Sequence, residues 1–487
     1  MPRRLWRTKP HSSSASVRSG LKRVFGPWQL IALGVGVTVG AGLFSITGVA
    51  AGQYAGPAVT LSFLLAAIAC SFAGLCYAEL AGLLPVAGSA YSYAYASMGE
   101  FVAWVIGWDL MLEYTVAAAT VASSWSGYLN SLLKSWGLWI DPRFMAPSLA
   151  PVRMPDGTMA RAWFNAPSVF IIFIVTLLML KGTRESSRLN AVIVTIKMLV
   201  VAGVIAACLP FIHSANYHPF LPPNTGEYGH FGFSGILRAA GMIFFAYVGF
   251  DIVSTTALDT HDPQKNLPRS ILTSLLICAI IYAVFSFVLV GVVDYHALAN
   301  DPNPVATAID KIHLPWLGAL IKIGITLGYV SVIYGMLLGQ SRVALAMGQD
   351  GLIPPQFSRL HPRTQTPVFS HLLSGSVAAL LAACLPISLL GKLTSIGTLL
   401  AFVIVCAGVI ALRLRAPHLP RRFRVPGGTF LIPVLGILCC GTVMVCMDRL
   451  TWLRLFCWFL IGAVVYFTYS LRHSKLARKP PSPPESR

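Results

Sequence analysis

The chain has 487 residues, a formal net charge of +19, 56% hydrophobic against 11% charged residues, and a mean hydropathy of +0.71. A soluble chain of this length cannot hide that much apolar surface, so composition excludes a soluble globular protein and specifies a polytopic membrane protein. The basic excess invites a nucleic-acid reading. With the N-terminus inside, however, 25 of the 36 Lys and Arg residues fall on one face of the membrane and 8 on the other. That bias is the positive-inside rule: both termini are expected in the cytoplasm, the lipid bilayer is the solvent, and nucleic acid is not a partner.

Residues 1–26 form a basic cytoplasmic segment without the apolar core of a cleavable signal peptide. Apolar runs able to cross a core of about 30 Å follow at 27–53, 57–84, 100–131, 167–181, 187–211, 232–257, 270–293, 315–343, 368–388, 393–413, 429–447 and 451–471. The first ten form a transporter core, 27–413, in two sets of five, about 27–211 and 232–413, each opening with an interrupted run. A five-span unit repeated in tandem inserts with opposite orientations, which gives an inverted repeat with its site near the bilayer midplane. Two additional spans occupy 429–471, and 472–487 is a cytoplasmic tail. The expected fold class is therefore all-α integral membrane, with twelve transmembrane helices.

The interruptions are GVGVTVGAG at 34–42 and FFAYVGFD at 244–251. In hydrocarbon a helix can unwind only where protein or a polar ligand satisfies the freed backbone groups, so two such segments suggest one shared site. Val39, Gly40, Ala41 and Gly42 would let an unwound backbone approach a carboxylate and offer N–H donors at the start of the following half-helix. A small-residue helix contact of the GxxxG kind is the competing reading. Unwinding after Phe244 would turn the carbonyls of Phe245, Ala246 and Val248 toward an ammonium group, and Asp251 would support the restarted helix.

Between the interruptions, Asp109 and Glu113 lie one helical turn apart on one face of the third run. Lys197 is about ten residues, or ~15 Å, inside its span, too deep to snorkel, so it must pair, meet a cavity or release its proton. Arg238 and Lys322 lie close enough to span ends to snorkel. Glu79 reads as a structural residue at a cytoplasmic turn. Met336 and Tyr334, in the eighth run, are candidate pocket residues, and a thioether there favours apolar cargo. The ten cysteines sit almost entirely in apolar runs as packing residues, and the histidines form no intramembrane cluster. No metal or cofactor is implied, and an enzyme reading is weakened.

Several segments carry a resemblance. They are GVGVTVGAGLFSITGVAAGQYAGPAV from Gly34, CYAELAGLLPVAGSAYSYAYASMGE from Cys76, GWDLMLEY from Gly107, KGTRESSRLN with the following Lys197, FFAYVGFD, and PQKNLPRSI from Pro263. On these the chain resembles the amino acid-polyamine-organocation superfamily, in particular its cationic-amino-acid-transporter-like bacterial permeases. The resemblance implies the five-plus-five LeuT-type fold and secondary transport of amino acids, commonly proton-driven, at a bacterial inner membrane. It implies Phe245 as a lid over the pocket. It suggests Lys197 against the first broken helix as a proton-coupling residue, with Glu113 in a polar network near the substrate or with Lys197. Two departures stand out. Gly40-Ala41-Gly42 replaces a common Gly-Thr-Gly and so lacks a hydroxyl donor, and Ala257-Leu258-Asp259 replaces a common Ala-Glu-Glu at the cytoplasmic gate. With no acid placed to attract a cationic side chain, neutral amino acids are the expected cargo and the proton the expected coupling ion. Sodium coupling, ion-independent exchange and a non-transporting sensor remain the alternatives.

Overall fold

The computed structural model describes residues 6–9, 23–86, 88–299, 301, 303–312, 315–447 and 449–478. The principal helices are α1 (Pro27–Thr38), α2 (Val59–Leu83), α3 (Ala90–Ser97), α4 (Glu100–Ser135), α5 (Ala166–Leu180), α6 (Thr183–Cys208) and α7 (Gly232–Ile243). They continue with α8 (Pro263–Val292), α9 (Pro304–Lys311), α10 (Pro315–Gln349), α11 (Val368–Cys384), α12 (Ile387–Arg415), α13 (Leu431–Val445) and α14 (Arg449–Val465). The sole sheet among the described residues is a hairpin, Pro151–Arg153 with Met159–Arg161, in the Pro-rich loop before α5.

Eight helical runs among the described residues are long and apolar enough to cross a membrane, the first being the 57-residue stretch Pro27–Leu83. Ala166–Leu180, Val368–Cys384 and Leu431–Val445 are apolar but shorter. The outer faces bear the mark of lipid as solvent. Leu61, Leu64, Leu65 and Ile68 form an exposed i, i+3, i+4, i+7 stripe on α2, and Phe170, Phe173, Ile174 and Leu177 do the same on α5. Inside, small residues set close helix approach, as expected where lipid supplies no hydrophobic drive for association.

The expected first run splits as its sequence indicates. Pro27, at the first turn of α1, gives up an N–H that would have no helical partner, and Gln29 accepts from the Gly26 amide at 2.7 Å. After Thr38 the chain breaks, then resumes as a π-helical turn (Gly42–Ile46), an α turn (Thr47–Ala50) and a second π turn (Ala51–Ala55). Gly56, at φ +61°, and Pro57 reverse it into α2. The second break is longer: α7 ends at Ile243, a 3-10 turn covers Phe244–Tyr247, Val248 is extended, and only one α turn (Ile252–Thr255) follows.

One reading is corrected by the packing. Lys322 does not snorkel. Its side chain is 6% exposed and its ammonium lies 3.2 Å from Asp310, on the short helix α9 that caps this end of the bundle. The tail is docked in its described part: Ser474 donates to Glu100 at 2.5 Å, and the Lys475 amide donates to the Asp350 carbonyl at 3.0 Å. The segment after Leu476, expected to lack structure, is described only as far as Arg478, and most of the basic segment before Arg23 also lies outside the described residues.

Candidate functional site

Breaking a helix strands its last carbonyls, and at the end of α1 three of them find side-chain donors. Lys197, wholly buried on α6, donates to the Gly36 carbonyl at 2.5 Å and the Val39 carbonyl at 2.7 Å. It also reaches the Ser331 hydroxyl at 2.9 Å and the Gly328 carbonyl at 3.5 Å, so one ammonium ties α6, the first break and α10 together. The Thr38 carbonyl instead lies 2.7 Å from the hydroxyl of Tyr282 on α8. That same hydroxyl is 2.7 Å from the Ala246 carbonyl in the second break. A phenol has one hydrogen, so Tyr282 can donate fully to only one of these two carbonyls at a time, and its place between them links the two broken segments.

The breaks themselves touch. A Cβ on Gly42 would lie 2.3 Å from the Ala246 Cα, and one on Gly249 would lie 2.8 Å from Val37 Cγ1 and 3.1 Å from the Thr38 amide. Gly249 also holds φ +126°, which side chains other than hydrogen rarely permit. The glycines therefore provide backbone approach between the segments, beyond their effect on helix continuity. Replacing Gly42 by alanine is expected to reduce uptake at least tenfold while the protein still reaches the membrane, since the clash is with backbone and cannot be relieved by a rotamer change. Uptake in whole cells, normalised to membrane-inserted protein, measures this.

The ten sequence-derived site residues are all buried, and the structure divides them. Val39, Gly40, Ala41 and Gly42 line the first break, and the Gly40 carbonyl accepts from the Leu43 and Phe44 amides at 3.1 Å each, so only part of the amide edge that opens the restarted helix is left for a ligand. Of the second-break carbonyls proposed as ammonium acceptors, that of Ala246 is engaged by Tyr282 and that of Phe245 receives the Val248 amide at 3.2 Å. Met336 is buried on α10, next to Gly335, which packs on Val37 of α1.

Glu113 is not paired with Lys197, as one of the expected arrangements had it. Its Oε1 accepts from Thr398 on α12 at 2.6 Å, and it interacts electrostatically with Asp251 and Asp109. The reason is tertiary: α4 packs on α12 and α10, whereas α6 lies against α1 and α10. Asp251, expected to support the restarted helix, makes no side-chain cap on Ile252–Thr255; its carboxylate instead accepts from the Gly249 amide at 3.2 Å and from the Tyr114 hydroxyl, within and beside the second break. Residues of the polar framework that sequence reasoning missed are Tyr282, Ser331, Tyr114 and Thr398.

The end of the bundle that carries the N-terminus is tied shut. Val24 and Phe25 donate backbone hydrogen bonds to the Asp259 carbonyl at 2.7 and 3.0 Å, and His261 returns one to Phe25 at 3.0 Å. The Asp259 carboxylate meets Arg342 of α10 at 3.1 Å with both side chains 1% exposed. Glu79 is fixed by Arg413 and, at 3.2 Å, by Arg421, as its structural reading required. Near the opposite end lies a cavity of about 390 Å³, bounded by the restarted first helix, α7, α12 and α13.

Two touching helix breaks, backbone carbonyls held by a buried lysine, and a lipid-facing exterior define a membrane carrier of small polar solutes. The comparisons agree and go further: residues 25–471 match the amino acid permease family model, and the chain belongs to that family. It is 41% identical to the branched-chain amino acid permease BcaP of Bacillus subtilis (strain 168), over 95% of this chain and 96% of that one. It is 38% identical to the methylthioribose transporter of the same strain, over 97% and 99% of the two chains. The vacuolar cationic amino acid transporter 4 of Arabidopsis thaliana is 36% identical over 80% of this chain and 63% of its own. The protein is thus a multi-pass amino acid permease, and these relatives are transporters.

Proposed function

We propose that this permease carries neutral amino acids with apolar side chains into the cell by alternating access, driven by the proton gradient. The carrying observation is the Lys197 ammonium seated on the Gly36 and Val39 carbonyls of the first break, a place where uptake or loss of one proton would change how α1 is held. In this reading Val39 to Gly42 receive the substrate carboxylate, the backbone around Phe245 and Val248 receives its ammonium, Met336 faces its side chain, and Glu113 assists the proton step. Twelve spans are counted when Pro27–Leu83 is divided at Gly56 and the three shorter apolar helices are included. Ten of them form the inverted repeat, with both termini cytoplasmic in a bacterial plasma membrane. The tied end is then the cytoplasmic one and the cavity faces outward.

The 41% identity to a branched-chain permease supports neutral cargo. The nearly full-length match to a methylthioribose transporter favours one other cargo, a thioether sugar, as a second reading. Proteoliposomes with an inward proton gradient should accumulate labelled leucine without sodium. Unlabelled isoleucine should compete at least tenfold better than lysine or methylthioribose. Leucine accumulation that requires sodium, or that occurs only as exchange against internal leucine, overturns proton coupling. Stronger competition by methylthioribose overturns the amino acid assignment.

A further inference from the structure

The cavity of about 390 Å³ is not the space between the two breaks. The lining residues that come nearest to them in sequence are displaced by one turn along each chain: Ser45 follows Gly42 by three residues, and Met242 precedes Phe245 by three. Its far wall comes from the end of α13 and the residues just beyond it, through Val443, Cys446 and Met447, a part of the chain that the broken helices do not require. The size is that of a small-molecule site. The chemistry divides in two. Ile46, Val49, Met242 and Met447 are apolar. Arg238, which shares the polar part of the lining with Lys392 and Ser395, lies 5.0 Å from the ring centre of Tyr54 and uses one N–H, at 3.1 Å, on the Tyr228 carbonyl. A guanidinium oriented by an aromatic face and a backbone carbonyl still presents donors in the fork geometry that suits a carboxylate.

We infer that this cavity is a second substrate station, which holds an α-amino acid by its carboxylate on Arg238 and its apolar side chain on Met242 and Met447 before it moves to the breaks. The inference rests on the amino acid reading above for its ligand class but not on where the central site lies. It gives α13 a binding role, and it makes entry selective for a free carboxylate joined to an apolar side chain.

Cys446 is a native reporter, because it lines the cavity and lies 3.8 Å from the Tyr228 hydroxyl. The test uses full-length protein in proteoliposomes carrying Cys384→Ser, Cys439→Ser and Cys457→Ser, which removes the other thiols that are not fully buried. Leucine should slow alkylation of Cys446 by a charged methanethiosulfonate at least fourfold, and isoamylamine, which lacks the carboxylate, should not. The protection should persist in a Gly42→Val background, or in Gly42→Ala if the bulkier variant does not reach the membrane, and should vanish in Arg238→Gln. Protection lost with Gly42→Val would mean that leucine acts only through the central site, and the second station is overturned. Absence of protection in protein that accumulates leucine overturns the station and leaves the permease reading intact. Protection by leucine without any uptake supports the station and overturns the permease reading.

Discussion

Asp259→Asn is expected to destabilise the protein by about 3–5 kcal/mol, the usual result when one partner of a buried ion pair is removed and the other keeps its charge. The Arg342 side chain is 1% exposed in this structure, so the loss of the carboxylate is not made up by contact with bulk water. The double replacement Asp259→Asn, Arg342→Gln removes both charges and should recover most of the loss. The pair is nevertheless more than a stability element. Asp259 also anchors Val24 and Phe25 through its carbonyl, so its carboxylate fixes α10 to the same point where the segment before α1 is fixed. Breaking it should open this end more often and admit a thiol reagent or protease to the 24–25 segment. Thermal unfolding in detergent distinguishes single from double variants. Equal midpoints for Asp259→Asn and the native protein would remove the pair from any account of how this end is closed.

How much of this was legible beforehand depends on whether a feature is local. The two breaks were, because GVGVTVGAG and FFAYVGFD put glycine into the middle of apolar runs where an uninterrupted helix has no use for it. Lys197 was legible in part: a charge ~15 Å inside a span must pair, meet a cavity or release its proton, and the resemblance, not the spacing, pointed to the first break as its seat. Tyr282 was not. A tyrosine in a helix reads as packing, and only the crossing of α8 with both broken segments sets its hydroxyl 2.7 Å from two carbonyls at once. The engagement of the Ala246 carbonyl was hidden for the same reason, because sequence reports that a backbone group is freed and not which way it turns. Lys322 misled because distance to a span end was measured along the helix, while its partner Asp310 belongs to α9, a short helix between the apolar runs. Arg342 and Asp259 are 83 residues apart, and their pairing follows from the tertiary meeting of α10 with the end of the second broken helix.

Lys197→Arg separates a coupling lysine from a merely structural one. If the side chain served only to cap the Gly36 and Val39 carbonyls with a permanent charge, arginine, which carries more N–H donors and does not deprotonate, should preserve gradient-driven uptake. If the proton on Lys197 is the one that moves, arginine should hold the first break in one state. Accumulation of leucine against its gradient should then fall at least tenfold, and the rate should lose its dependence on external pH. Exchange of internal for external leucine should survive better than accumulation, because exchange does not require the site to discharge. Space is tight here: a Cβ on Gly328 would lie 2.6 Å from Lys197 Cδ, so the stem already fills the gap to α10. Lys197→Met therefore belongs beside the arginine variant, since it keeps the length of the stem and deletes the charge. Methionine leaves the Val39 carbonyl without its donor, at a cost of about 1–3 kcal/mol, while Ser331 still reaches the Gly36 carbonyl at 3.1 Å. The variant should show the same loss of pH dependence together with a lower melting temperature. Uptake in either variant that still rose with an inward proton gradient, at native slope, would rule out Lys197 as the coupling group.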